Sequence, residues 1–386
     1  MRLPRVHPAL LTLLAGGDRS GRPPLDDFAW DRLADDAERH GLAPWLYQWS
    51  RSHPSVIPPR IHDRLKANVT ALTGKTLILQ DELATILREL GRHKVPCLPL
   101  RGLALATYLP AAPAVRPMGD LDLLVRREDY AGVRRILQQL GYAEMDRRPG
   151  FAEAYSYTLE FVKDRHGWIT VEPHWTLAYP PFMETIDMDA VWSRCRRGTV
   201  AGIETSLLSL EDLLINLCWH LHHKGAEAPL LWWVELDLLL RRHASAVNWP
   251  RLVSTVGPGS PAGLIADVLS PLALEFHSPI SDQAIAELSG SASRAAPRST
   301  RVLAGPLTVD GSESLAQLFA ISGLRAKIRY GWALLMPSRE FMMMHYAPAS
   351  PAQLYLRYAR RILSCAGESL KGLANLFLPA RRSSLP

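Results

Sequence analysis

Cysteine is scarce in this chain. Cys97, Cys195, Cys218 and Cys365 are all there are in 386 residues, and no two stand in a CxxC pair. That excludes a disulfide-stapled scaffold and a ribbon-type zinc site, and reads as free thiols in a reducing compartment. Long apolar runs are missing as well. The longest early one, Pro8 to Gly16, falls far short of the roughly 20 residues a membrane span requires. Asp18, Arg19 and Arg22 follow it and no A-x-A cleavage pattern appears, so it reads as an amphipathic first helix. The expectation is a cytoplasmic protein with no membrane partner. A large excess of one charge is also absent: 44 Lys and Arg against 38 acids leave a formal +6. So mild a surplus suits a polyanionic small ligand and does not demand nucleic acid. What is present, 47% hydrophobic and 21% charged residues, is the composition of a globular protein with room for two or three domains.

The hydrophobic period changes along the chain. Residues 26 to about 92 read as helical, with Leu79, Leu83, Ile86, Leu87 and Leu90 on one face and Gly91 at a stop. VPCLPL (95–100) has a strand's length and runs into Arg101–Gly102, and LALATYL (103–109) reads as one or two helical turns halted by Pro110 and Pro113. GDLDLLV (119–125) alternates as a strand. From Glu128, the stripe Tyr130, Val133, Ile136, Leu137, Leu140 predicts a helix closed by Gly141. Two further strands are expected over 154–162 and 167–175, with a turn through Lys163–His166. Beyond about 206 the pattern is helical, with loops between shorter helices over 254–312, where Ser, Gly, Pro and Ala are rich. No internal repeat is visible. The expected fold is α+β: an N-terminal helical region (1–92), a small mixed-sheet α/β core (93–205) and a C-terminal helical domain (206–386).

The sharpest local signal is Asp120-Leu121-Asp122 within the 119–125 strand. Side chains alternate in a strand, so Asp120 and Asp122 share one face about 7 Å apart, while Leu121, Leu123 and Val125 share the other. Two such carboxylates repel unless solvated or bridged by a cation. Mg²⁺, or Mn²⁺ in its place, is the natural bridge, because it takes hard oxygen ligands and keeps substrate phosphates in its shell. One element earlier, a strand turning through Arg101–Gly102 into a helical turn would aim backbone N–H groups at a phosphate. Arg101 would add a fixed positive charge there.

A strand, a glycine turn, a helix and a strand carrying Asp-x-Asp resemble the nucleotidyltransferase fold of the DNA polymerase beta superfamily. More closely, LPLRGLALATYLPAAPAVRPMGDLDLLV resembles the bacterial nucleotidyltransferase family proteins, whose Arg-Pro-Met-Gly-Asp-x-Asp-Leu-Leu-Val block stands here as 116–125. The flanks AERHGLAPWLYQWS (37–50), LSLEDLLINLCWHLHHK (208–224) and LLWWVELDLLL (230–240) resemble that group's helical patterns. Two departures stand out. The usual lysine before the turn glycine is Arg101, and the usual Gly or Ser after it is Leu103.

The resemblance implies a third carboxylate from a later strand. Glu172 in Glu172-Pro173-His174-Trp175 matches the group's acidic-x-His-Trp pattern, with Glu160 and Asp164 as fallbacks. The catalytic and metal set is therefore Asp120, Asp122 and Glu172. The nucleotide-binding set is Arg101, Gly102, Leu103, Arg116, Gly119 and His174, joined by His220 and Lys224 at i and i+4 on the 208–224 helix. Glu235 and Asp237 could also reach the cleft. Cys218, His220, His222 and His223 do not make a zinc site, because on a helix 220 lies nearly opposite 222. Met342–Met344 read as core, and Arg357, Arg360, Arg361, Arg381 and Arg382 as solvated. Replacing Asp122 or Glu172 by its amide should leave folding intact, since it relieves like-charge repulsion.

These readings converge on a Mg²⁺-dependent nucleotidyltransferase with two metals. It would move a nucleotidyl group from an NTP, ATP for preference, to a hydroxyl or phosphate of a peptide, small molecule or sugar. The alternatives are an RNA- or DNA-directed transferase, or a nucleotide-binding regulatory, antitoxin-like protein with little turnover.

Overall fold

A computed structural model describes residues 3–10, 25–109, 115–146, 148, 150–179, 182–257, 260–295, 317–319, 321, 323–347 and 350–377. Three helices lead: α1 (Asp27–Arg39), α2 (Ala43–Ser52) and α3 (Pro59–Arg92). Asp26 caps α1 by accepting from Ala29 N at 2.7 Å. The long α3 buries the expected stripe of Leu79, Leu83, Ile86, Leu87 and Leu90. It also buries Glu82, which accepts from Tyr142 Oη at 2.6 Å and pairs with Lys163 and Arg165. That ion cluster ties α3 to the sheet.

The sheet follows. Strands β1 (Cys97–Pro99), β2 (Asp120–Val125), β3 (Ala143–Glu144), β4 (Phe161–Asp164) and β5 (Trp168–His174) lie in the order β1-β2-β5-β4-β3. The pair β2/β5 is parallel and the other pairs are antiparallel, so the sheet is mixed. Helix α4 (Tyr130–Gln139) returns the chain from β2, burying Tyr130, Val133, Ile136 and Leu137. The register sets Asp122 opposite Glu172 and Asp120 opposite Thr170. Beyond Asp120 every residue of β2 is buried, on both faces of the strand. The carboxylate face therefore lies under the helical region and not in open solvent.

Three local features stand out against the expectation. Residues 154–162 are not one strand: Phe151–Tyr155 form the short helix α5, Thr158 makes an isolated bridge to His174, and the continuous ladder begins at Phe161. The ring of Phe151 packs on Tyr155 and Tyr330, which holds this segment out of the ladder. LALATYL makes a single 3₁₀ turn, Leu105–Thr107, within the one or two turns expected. Pro110 and Pro113 lie outside the described residues. Finally, α6 (Met188–Ser193) leads into a hairpin absent from the sequence reading, β6 (Arg196–Val200) and β7 (Ile203–Leu207). Its two-residue turn, Ala201–Gly202, has positive φ at both positions, the primed geometry that matches strand twist.

The remaining helices are α7 (Leu210–Lys224), α8 (Leu230–His243), α9 (Trp249–Val256), α10 (Ser260–Glu275), α11 (Asp282–Ala295), α12 (Leu324–Leu335), α13 (Arg339–Tyr346) and α14 (Pro351–Phe377). Where loops between shorter helices were expected, α10 and α11 run 16 and 14 residues. Small residues such as Ala262 and Ala266 let α10 pack closely, so Ala and Ser enrichment here marks contact and not a loop. Residues 11–24, 296–316 and 378–386, with most of the early apolar run and with Arg381 and Arg382, lie outside the described residues. One continuous apolar core runs from Ala9 to Leu288, and a separate small cluster joins Phe341, Met342 and Leu354.

Candidate active site

The two Asp side chains of β2 have different surroundings. Asp122 is buried; its Oδ2 accepts from Arg101 Nε at 2.9 Å, and Arg101 Nη2 forms an ion pair with its Oδ1 at 2.5 Å. His174 Nε2 donates to the same Oδ1 at 2.8 Å. Burial works against ionisation of Asp122, but Arg101 and His174 overcome it and hold the carboxyl well below the usual range. Asp120 sits at the rim, open on its outer side but flanked by the cavity wall, and partial desolvation, then the Asp122 charge, raises its pKa to about 6. Glu172 is pushed up to about 7 by burial, then by Asp122 and Asp120. The cluster thus holds one carboxylate in a direct ion pair with an arginine and two without one.

Sequence reasoning put Arg101 at the phosphate end. Its guanidinium instead forks onto Asp122, and its Nη1 donates to Tyr179 Oη at 3.2 Å. That phenol donates onward to His220 Nδ1 at 2.9 Å, and its ring stacks on His223 with centroids 4.4 Å apart. Burial, then Arg101, lowers the His220 pKa well below its ordinary value, so the imidazole is neutral and its Nδ1 can accept. Tyr179 is the hub that sequence reasoning missed. Its segment, Thr176 to Tyr179, has no period and no motif to single it out.

A cavity of about 100 Å³ opens beside these groups, lined by Arg101, Met118, Asp120, His220, Trp232 and Glu235 among others. Gly102, Leu103, Arg116 and Gly119 also line it. Gly102 takes φ +53°, and a Cβ there would meet Met118 Sδ at 2.9 Å, so the turn requires glycine. His220 lies against Trp232 with centroids 4.0 Å apart. Arg116, buried, pairs through Nη2 with Glu235, while its Nη1 has no hydrogen-bond partner among the described residues. Burial outweighs that pairing and pushes Glu235 up to about 7. Lys224 is exposed and not among the lining residues, though its charge still acts on Asp120. Asp237 is engaged elsewhere, by Arg241 and Ser278. Glu160 and Asp164 are exposed, and Asp164 pairs opposite Trp168 at the far end of β5. Cys218 is buried in the core and His222 turns toward Asp267.

Ligand atoms of Asp122, Glu172 and His174 come within 4.8 Å of one another. His174 Nε2 is spent on Asp122, so the hard-oxygen donors of this group are Glu172 and Asp122, and Asp120 lies outside it. Asp122 already accepts two hydrogen bonds, one on each oxygen. These two carboxylates fit a divalent cation whose shell is completed by water or substrate phosphates, with Arg101 competing for Asp122.

A family described as uncharacterised nucleotidyltransferase matches residues 26–257, well over half of the chain. The chain belongs to that family. This nucleotidyltransferase thus carries its matched region across α1–α9, including all of the sheet. No curated protein matches it. Among solved structures, it is similar to the solution structure of the antibiotic-resistance factor ANT(2'')-Ia, at 17% identity over 52% of this chain and 96% of that one, with a TM-score of 0.33. The crystal structure of ANT(2'')-Ia in complex with adenylyl-2''-tobramycin gives 17% identity, 51% and 99% coverage, and a TM-score of 0.32. Among the described residues, no helix of this nucleotidyltransferase is long and apolar enough to cross a membrane.

Proposed function

We propose that this nucleotidyltransferase transfers a nucleotidyl group from an NTP, ATP for preference, to a hydroxyl of a small molecule, sugar or peptide, and that Asp120, Asp122 and Glu172 form its active site within a 93–205 catalytic core. The observation that carries this is the β2/β5 register, which sets Asp122 beside Glu172 with Asp120 at the cavity mouth. A divalent cation bound by Asp122 and Glu172 would neutralise charge on the transferring phosphoryl group. Arg101 and His174 hold Asp122 ionised and fix its rotamer. Glu172, with a pKa near 7, suits the base that takes the proton of the acceptor hydroxyl. The acceptor oxygen then bonds to the α-phosphorus as the bond to pyrophosphate breaks. Trp232 and neutral His220 offer an aromatic wall for a nucleobase, and the unpartnered Nη1 of Arg116 a donor for a phosphate oxygen.

The test incubates the protein with α- or γ-labelled ATP, Mg²⁺ and panels of amino-sugar, peptide and RNA acceptors. Label should reach an acceptor from the α position only, and Asp120→Asn or Glu172→Gln should lower the rate at least 100-fold. Transfer from the γ position would replace this reading with phosphoryl transfer. Unchanged rates in both variants would remove the carboxylates from the site.

A further inference from the structure

The C-terminal helices α12 and α14 lie beyond the family's matched region and beyond the main core. Of the 15 large hydrophobic side chains exposed among the described residues, ten lie after residue 318. On α12 they recur every fourth residue: Leu324 (74% exposed), Ile328 (61%), Trp332 (65%) and Met336. That spacing forms one continuous ridge along the helix. On α14, Tyr355 (74%), Leu356, Ile362 and Leu363 (73%) occupy one face two turns long. The opposite face of α14 is the one turned inward, with Leu354 in the small cluster and Arg361 bonded to Leu334 O and Tyr346 Oη.

Charge around these ridges has one sign. Residues 317–365 hold seven Lys and Arg against a single acid, Glu340, so this stretch alone accounts for the chain's entire +6. Arg325, Arg329 and Arg360 are exposed beside the ridges, while Lys327 is turned onto Phe319. Apolar ridges with a tryptophan and a tyrosine, edged by cations, match the two layers of an anionic bilayer surface: acyl chains for the ridge, headgroups for the arginines. A second copy of this chain fits poorly, because the same cations would face each other across the contact. The sequence reading expected no membrane partner because it sought a spanning segment, and a helix that lies in the interface has no such signature.

We infer that α12 and α14 form a peripheral docking surface for anionic lipid bilayers, holding the nucleotidyltransferase core at a membrane face. The full-length protein should co-sediment with vesicles of phosphatidylcholine and phosphatidylglycerol at 3:1, and at least tenfold less with phosphatidylcholine alone. Raising NaCl from 0.1 to 0.5 M should weaken the binding, since headgroup attraction is screened. Ile328→Ser with Leu363→Ser should lower partitioning at least tenfold at unchanged Tm, because both side chains already face solvent. Absent sedimentation, equal binding to neutral vesicles, or an unaffected double variant would each overturn the proposal. So would a dimer in analytical ultracentrifugation that the double variant abolishes, which would assign the surface to a second copy.

Discussion

At the residue scale, Asp122 and Glu172 share a site and a charge type, yet their environments are opposite. Replacing Asp122 by Asn leaves the Arg101 guanidinium buried without its carboxylate, the costly half of a broken buried ion pair. The expectation that this amide leaves folding intact is therefore corrected. Asp122→Asn should cost about 3–5 kcal/mol and lower Tm by roughly 5 °C. Glu172→Gln removes a charge that burial and two neighbouring carboxylates disfavour, so it should raise Tm by a few degrees at pH 8. Thermal unfolding of the two variants in metal-free buffer checks both signs. Equal shifts in the same direction would mean that Arg101 is not held by Asp122.

At the element scale, the turn joining β1 to the 3₁₀ segment decides where Arg101 points. Gly102 has a backbone conformation that an L side chain rarely adopts, and its Cα faces Met118. Gly102→Ala should cost about 1–2 kcal/mol, part from positive φ and part from the Met118 contact. Adding Met118→Ala should recover the contact part alone, because the strain lies in the backbone. A double variant as stable as the parent would show that φ carries no penalty. The same logic governs β2. A one-residue slip against β5 would move Asp122 away from Glu172 and turn Leu123 out of the core, so the apolar pattern enforces the polar alignment.

At the scale of the whole molecule, the carboxylate cluster makes stability depend on pH. Glu172 titrates near 7 in the fold against an ordinary 4.5, and Asp120 near 6 against 3.8. Between those limits the native state binds more protons than the unfolded chain, so these two groups lower stability as pH rises from about 4 to about 7. Five histidines whose pKa values are lowered, His40, His174, His220, His222 and His223, act in the opposite sense, so the carboxylate share is read as a difference: Glu172→Gln should gain Tm relative to the parent as pH rises through the window. Millimolar Mg²⁺ or Mn²⁺ should raise Tm more at pH 8 than at pH 5.5, because protonated carboxyls do not bind it. Scanning calorimetry with and without EDTA reads this directly. A metal effect independent of pH would place the cation elsewhere.

Local chemistry made part of this protein legible from its residues alone. Alternation in 119–125 was enough to put Asp120 and Asp122 on one face of a strand, and the 3.6-residue stripes to mark α3 and α4, because these are properties of neighbours in the chain. The Glu172-Pro-His174-Trp175 pattern singled out the residue that the sheet sets beside Asp122. The missed features depend on distant segments. Phe151–Tyr155 leave the expected strand because Tyr330, some 175 residues away, packs on them. Arg101 turns to Asp122, and Tyr179 bridges it to His220, across separations of 21 and 41 residues that carry no periodic signal. Side-chain type is written locally, whereas which charge meets which, and in how much water, is decided only when the chain has packed.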